Sequence, residues 1–145
     1  MVIAVIGENC TGKSTLADRL KEDFNATVYT GKDYLRMAKN PAEAETVFKK
    51  LLARSEEGDN IIYIISESEH IKLLPEKCFK ILVTAEIAVI KERFATRMRG
   101  TLPPPVAFML EKNHGKFDNI QREFHYKDAD DYTALKDKIR SFYAG

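Results

Sequence analysis

Gly7-Glu8-Asn9-Cys10-Thr11-Gly12-Lys13-Ser14 has the spacing G-x-x-x-x-G-K-S. Residues of these types at this spacing hold phosphate. A glycine-rich turn lets successive backbone N–H groups face inward as an anion nest, and a helix starting behind it adds positive potential. The Lys13 ammonium can reach the β- and γ-phosphates of a nucleotide, and the Ser14 hydroxyl can ligate Mg²⁺. The flanks agree. The apolar run 1–6 reads as a buried strand, and Leu16, Ala17 and Leu20 follow at helical spacing. Gly7, Glu8, Asn9, Cys10, Thr11, Gly12, Lys13, Ser14 and Thr15 are therefore the nucleotide-binding candidates. Cys10 reads either as a small residue in a tight loop or as a redox-sensitive thiol near positive potential.

The chemistry needs a scaffold, and the composition allows one. At 145 residues with 44% apolar content, the chain reads as one domain with a proper core. A net charge of +1 gives no strong global field, which argues against a dedicated nucleic-acid binder. No apolar stretch reaches the length of about 18 residues needed for a membrane span. The N-terminal run is too short for a signal peptide and lacks a basic n-region. Cys10 and Cys78 make no disulfide framework. The expectation is a cytoplasmic protein without membrane or nucleic-acid partners, monomeric or homodimeric.

Five apolar segments alternate with helical ones. Strands are expected at 2–6, 26–29, 61–65, 78–84 and, weakly, 123–126. Helices are expected at 13–24, 33–37, 42–54, 85–98 and 131–142, with turn chemistry at 56–60. The run Ile61-Ile62-Tyr63-Ile64-Ile65 suits a parallel strand buried on both faces. Such alternation forces a parallel sheet with helices on both faces, and ligands then bind at the carboxyl ends of the strands. Gly7, Gly31, Ser66 and Ala85 should share that edge.

On these residues the chain resembles the small P-loop kinases: adenylate kinase, other nucleoside monophosphate kinases, and shikimate kinase. Tyr29-Thr30-Gly31-Lys32-Asp33-Tyr34-Leu35-Arg36 resembles the S-T-G-D-x-L-R element of adenylate kinases, with one residue inserted. The resemblance implies that Thr30, Gly31 and Arg36 bind the phosphoryl acceptor and that Asp33 supports metal or base chemistry. A helix start capped by Asp33, with Arg36 solvated, is the alternative. The stretch 81–100 resembles the strand, helix and lid approach of these kinases. Arg93 would pack on adenine, and Arg93, Arg97 and Arg99 would stabilise the transferring phosphoryl group. A basic, solvated helix end is the competing reading. Lys127, Asp128 and Ala129 fall at the family's adenine loop. The family further implies a three-layer α/β fold over 1–145, a five-stranded parallel sheet in the order 2-3-1-4-5, and a short helical lid at about 94–118. His114 and Lys116 would be solvated lid residues or touch substrate.

The sequence also departs from the family. The third strand ends Ile65-Ser66-Glu67-Ser68-Glu69-His70, without the Asp that many P-loop enzymes place there. The acceptor motifs of adenylate kinase and shikimate kinase are both absent. Glu67 or Asp33 could support the metal held by Ser14, or Ser66, Glu67 and Ser68 could merely cap a helix starting near Glu69. His70 reads as a surface or half-buried helical histidine. The leading expectation is a phosphotransferase that moves the γ-phosphoryl of Mg·ATP, with Mg²⁺ as cofactor, to a nucleoside monophosphate. A shikimate-like or other small metabolite is the second acceptor class. A nucleotide-binding or ATPase module without an acceptor is the alternative from another class, and an RNA-end kinase is disfavoured by the neutral charge.

Overall fold

The computed structural model describes residues 1–54 and 58–144. Their order is β1 (Val2–Ile6), α1 (Lys13–Phe24), β2 (Thr27–Thr30), α2 (Pro41–Ala53), β3 (Ile61–Ile65), β4 (Phe79–Val83), α3 (Ile87–Arg97), α4 (Pro104–Asn113), β5 (Phe124–Tyr126) and α5 (Tyr132–Ala144). Shorter 3₁₀ turns lie at Asp33–Met37, Ser68–Leu73 and Ala129–Asp131. The five strands pair in parallel in the order β2-β3-β1-β4-β5, the order implied by the P-loop kinases. Ile6 lies opposite both Ile65 and Leu82, so β1, β3 and β4 end within one residue of one another, and Gly7, Ser66 and Ala85 follow at one edge. Thr30 pairs with Ile64, which brings Gly31 to the same edge.

Both sheet faces are covered, as the unbroken apolar strands require. One face packs Ile3, Val5, Ile62 and Ile81 against Leu16 and Leu20 of α1 and Leu135 and Ile139 of α5. The other packs Ala4, Tyr63 and Leu82 against Phe48 and Leu52 of α2, and against Phe117. Phe48 is fully buried, with its ring centroid 4.9 Å from that of Tyr63 and 5.7 Å from those of Tyr29 and Tyr34.

Several boundaries differ from the sequence reading for local reasons. Ala26 stays out of β2 because its N–H closes α1 on the Lys21 carbonyl at 3.0 Å. The helix expected at 33–37 is a 3₁₀ turn, ended by the extended backbone of Ala38. α2 starts at Pro41, behind an Asn40 side chain that accepts from the Glu43 N–H at 2.8 Å. Glu86 is extended, so α3 begins at Ile87 rather than at residue 85. The turn expected at 56–60 includes Glu56 and Glu57, which lie outside the described residues, and Gly58 there has φ 113°. The helix expected from Glu69 is the 3₁₀ turn Ser68–Leu73, and it buries His70 to 3% exposure against Tyr34 and Tyr63. His70 is thus a core residue, not the surface or half-buried one expected.

Candidate functional site

The glycine-rich loop fills the gap between the end of β1 and the start of α1. Gly7 donates its N–H to Ile65 at 3.1 Å, and a Cβ there would stand 2.4 Å from the Val83 carbonyl oxygen, so no side chain fits. The chain then turns through left-handed backbone at Cys10 (φ 64°) and Gly12 (φ 98°). Cys10 adopts this conformation without being glycine, and its side chain is buried with Ile90 and Leu110 of α3 and α4. The Thr11 hydroxyl and the Lys13 ammonium both donate to the Glu8 carbonyl, at 2.9 and 2.5 Å. Lys13 is only 6% exposed. Burial, above all, lowers its pKa to about 8, and the cations Lys116 and Arg97 push the same way against Cys10 and Glu8. A polyphosphate in this loop would offer the ammonium a full counter-charge in place of a carbonyl. Ser14 and Thr15 are exposed on the first turn of α1.

Beside the loop opens a cleft of about 660 Å³. Its walls are Cys10, Thr11, Gly12 and Thr15 on one side, Arg93 and Arg97 of α3 on another, and Lys127, Asp128 and Ala129 at its far end. Arg93 donates to the Cys10 carbonyl at 3.1 Å, which fixes α3 against the loop. The far end is held by its own carboxylates. Asp131 accepts from the Lys127 and Asp128 N–H groups at 2.8 and 3.3 Å, and Asp128 accepts from the Asp130 N–H at 2.8 Å. Arg99 takes another place. It sits in left-handed backbone (φ 64°) beside Gly100, whose N–H caps α3 on the Ala95 carbonyl at 2.7 Å, and it does not line the cleft.

The other sequence candidates gather past β2 and β3. Asp33 is turned inward on its own turn: one carboxylate oxygen accepts from the Thr30 N–H at 2.8 Å and the Thr30 hydroxyl at 3.1 Å. Arg36 is exposed, and among the described residues it has no hydrogen-bond or ion-pair partner. The Gly31 carbonyl accepts from the Tyr63 hydroxyl at 2.7 Å, and the open side of Gly31 faces the His70 ring, whose Cε1 would be 3.8 Å from a Cβ. The Nδ1 of His70 is buried, and among the described residues it has no hydrogen-bond partner. Glu67 is exposed just before its turn and makes no capping bond with its side chain. Among the described residues no group of three or more His, Cys, Asp or Glu is placed to hold a metal. This donor set fits Mg²⁺ that takes most of its oxygens from water and substrate phosphate, with the exposed Ser14 hydroxyl as protein ligand.

Three features escaped the sequence reading. Arg19 lines the cleft, with its guanidinium 3.7 Å from the Tyr132 ring centroid. Its place one turn and a half behind Lys13, on the helix that the motif starts, was the available signal. His114 is not merely solvated: its Nδ1 lies 3.1 Å from the Glu8 carboxylate. Phe117 is buried to 1% and pins the segment after α4 to the sheet.

No family model matches the sequence, and no curated protein matches it. Solved structures do match. A sugar kinase from Janibacter sp. superposes with TM-score 0.65 at 13% identity, covering 99% of this chain and 94% of its own. The Deinococcus radiodurans tunicamycin resistance protein gives 0.62 at 18% identity, covering 97% and 94%. A shikimate kinase from Bacteroides thetaiotaomicron gives 0.56 at 11% identity, covering 100% and 99%. At such identities the likeness is one of architecture: this chain has the P-loop kinase fold, a five-stranded parallel sheet of order 2-3-1-4-5 between helices.

Proposed function

We propose that the chain is a small-molecule kinase that transfers the γ-phosphoryl of Mg·ATP to the hydroxyl of a small metabolite. The observation that carries this reading is the buried Lys13 at the mouth of a phosphate loop, with the Arg93 and Arg97 cleft beside it. The names of the structural neighbours, among them a sugar kinase, a gluconokinase and a shikimate kinase, support that acceptor class. A nucleoside monophosphate acceptor is the second reading. It rests on the unpaired Arg36, whose planar fork suits a phosphate or a carboxylate. Thr30 supports it less, because its N–H and hydroxyl are already given to Asp33.

The roles follow from position. The loop amides and Lys13 would hold the β- and γ-phosphates, and Arg93 and Arg97 would spread charge over the transferring group from the α3 side. Lys127, Asp128 and Ala129 would face the base. Mg²⁺, bound through Ser14, would neutralise phosphate charge. Segment 94–118 would serve as the lid, keeping water from the site. Catalysis of this kind is positioning and electrostatics, and the protein needs no covalent chemistry. Asp33 is better suited to holding the acceptor turn in shape than to binding metal, since it already accepts twice from Thr30. A nucleotide-binding module without an acceptor would share the donor half of this site.

A coupled ATP-consumption assay over sugars, hydroxy-acids and nucleoside monophosphates separates these readings. Stimulation by a hydroxylated metabolite is the expected result. Stimulation by nucleoside monophosphates alone would favour the second reading, and binding without any stimulated turnover would leave the module. Arg36→Ala is expected to raise the acceptor KM by about tenfold or more while leaving the ATP KM within about twofold. The reverse pattern would remove Arg36 from the acceptor side.

A further inference from the structure

Glu8 puts a carboxylate into a loop built to hold phosphate. The motif leaves its position open, so the charge is a choice of this chain. The Glu8 side chain is 11% exposed. Both of its oxygens are engaged from beyond α4, one by His114 Nδ1 and the other by the Gly115 N–H, each at 3.1 Å. A carboxylate only accepts, so His114 Nδ1 carries the proton. Gly115 is left-handed (φ 84°), and it places its N–H on the same carboxylate as the preceding side chain. Meanwhile the Glu8 carbonyl holds Thr11 and Lys13. One residue therefore joins the loop, its lysine and the end of α4.

We propose that His114 is a positioning residue for polyphosphate: together with the Gly115 N–H it holds the Glu8 carboxylate at the end of α4 and so keeps it from turning into the loop. The inference rests on the reading that this loop takes a nucleotide. A carboxylate released from that hold is free to swing toward a triphosphate and repel it, whereas one kept on His114 and Gly115 stands off. Charges of both signs, Glu86, Asp118, Arg122 and Lys127, line the cleft of about 470 Å³ next to the pair, together with His125, and they leave little net field of their own. The consequence is an asymmetry that a plain structural staple lacks. Removing the histidine should harm nucleotide binding more than removing the acid that it holds, and removing both should repair the harm.

Calorimetric titration of Mg·ATP into the wild-type chain, Glu8→Gln, His114→Gln and the double variant reads this directly. Glutamine at either position can still hydrogen-bond, so the tie between loop and α4 keeps a polar contact in each. His114→Gln is expected to weaken binding by about tenfold, and Glu8→Gln added to it in the double variant to restore most of the lost affinity. Equal weakening by both single variants without recovery in the double would overturn the proposal and leave only a staple. So would wild-type binding by His114→Gln. A wild-type chain that takes up no Mg·ATP would instead sink the phosphate-loop reading itself.

Discussion

Lys13 concentrates the energetics of the site in one side chain. Its ammonium is buried, and although the Glu8 carbonyl accepts from it, burial makes the folded protein hold this proton less tightly than the unfolded chain does. A lowered folded pKa means that the protonated form is disfavoured by folding. This penalty is present in full below about 8 and is relieved between about 8 and the ordinary value of 10.5. The nucleotide-free protein should therefore gain stability over that window, as read by denaturant titration at several pH values. Nucleotide affinity should move the other way, falling by up to about tenfold per pH unit above about 8, as the ammonium that meets the phosphates is lost. Lys13→Ala should keep the fold and lower transfer by about 100-fold or more in a turnover assay. Gly7 makes a different demand. Gly7→Ala would drive a methyl group to 2.4 Å from the Val83 carbonyl oxygen, so it should reduce thermal stability and nucleotide binding together. The eight residues of the motif could be picked out in the sequence by their types and spacing, and the structure places them between β1 and α1. The Glu8–His114 contact was not legible there, because it joins residues 106 positions apart and the loop motif places no demand on either partner.

Elements carry the site by fixing where strands end. β1, β3 and β4 were readable as apolar runs, since burial on both faces leaves no alternation to misread. β5, at three residues, was weak because it supplies only an edge. The 3₁₀ turns were the real loss. Asp33–Met37 and Ser68–Leu73 carry helix-like composition, yet their lengths are set by what they pack on, Phe48 and Tyr63 under Tyr34 and His70. That aromatic cluster lies under the turn where we propose that the acceptor binds. Phe48→Ala should cost about 3–5 kcal/mol in denaturant unfolding, and it should perturb the acceptor KM before the ATP KM. At the glycine-rich loop, α3 is tied in place through Arg93 and the Cys10 carbonyl. Arg97 shares its cleft and Arg99 does not, which the spacing of the three arginines alone could not decide.

Across the whole molecule, the alternation of strands and helices led to the right sheet, and the resemblance to P-loop kinases gave its order. At the same level, the loop, α3 and the residues 127–129 singled out in the sequence come together around one cleft, where we propose that the donor binds. The proposed acceptor side was less legible. Its residues come from short turns whose side chains spend their hydrogen bonds on each other, as Thr30 and Asp33 do. Nucleotide binding at the loop is therefore the decisive property. Calorimetry with ATP and GTP in the presence of magnesium tests it most directly. Saturable uptake of one nucleotide per chain, abolished by Lys13→Ala, is the predicted result. An absence of any nucleotide uptake at millimolar concentrations, in a chain that is folded by circular dichroism, would contradict it.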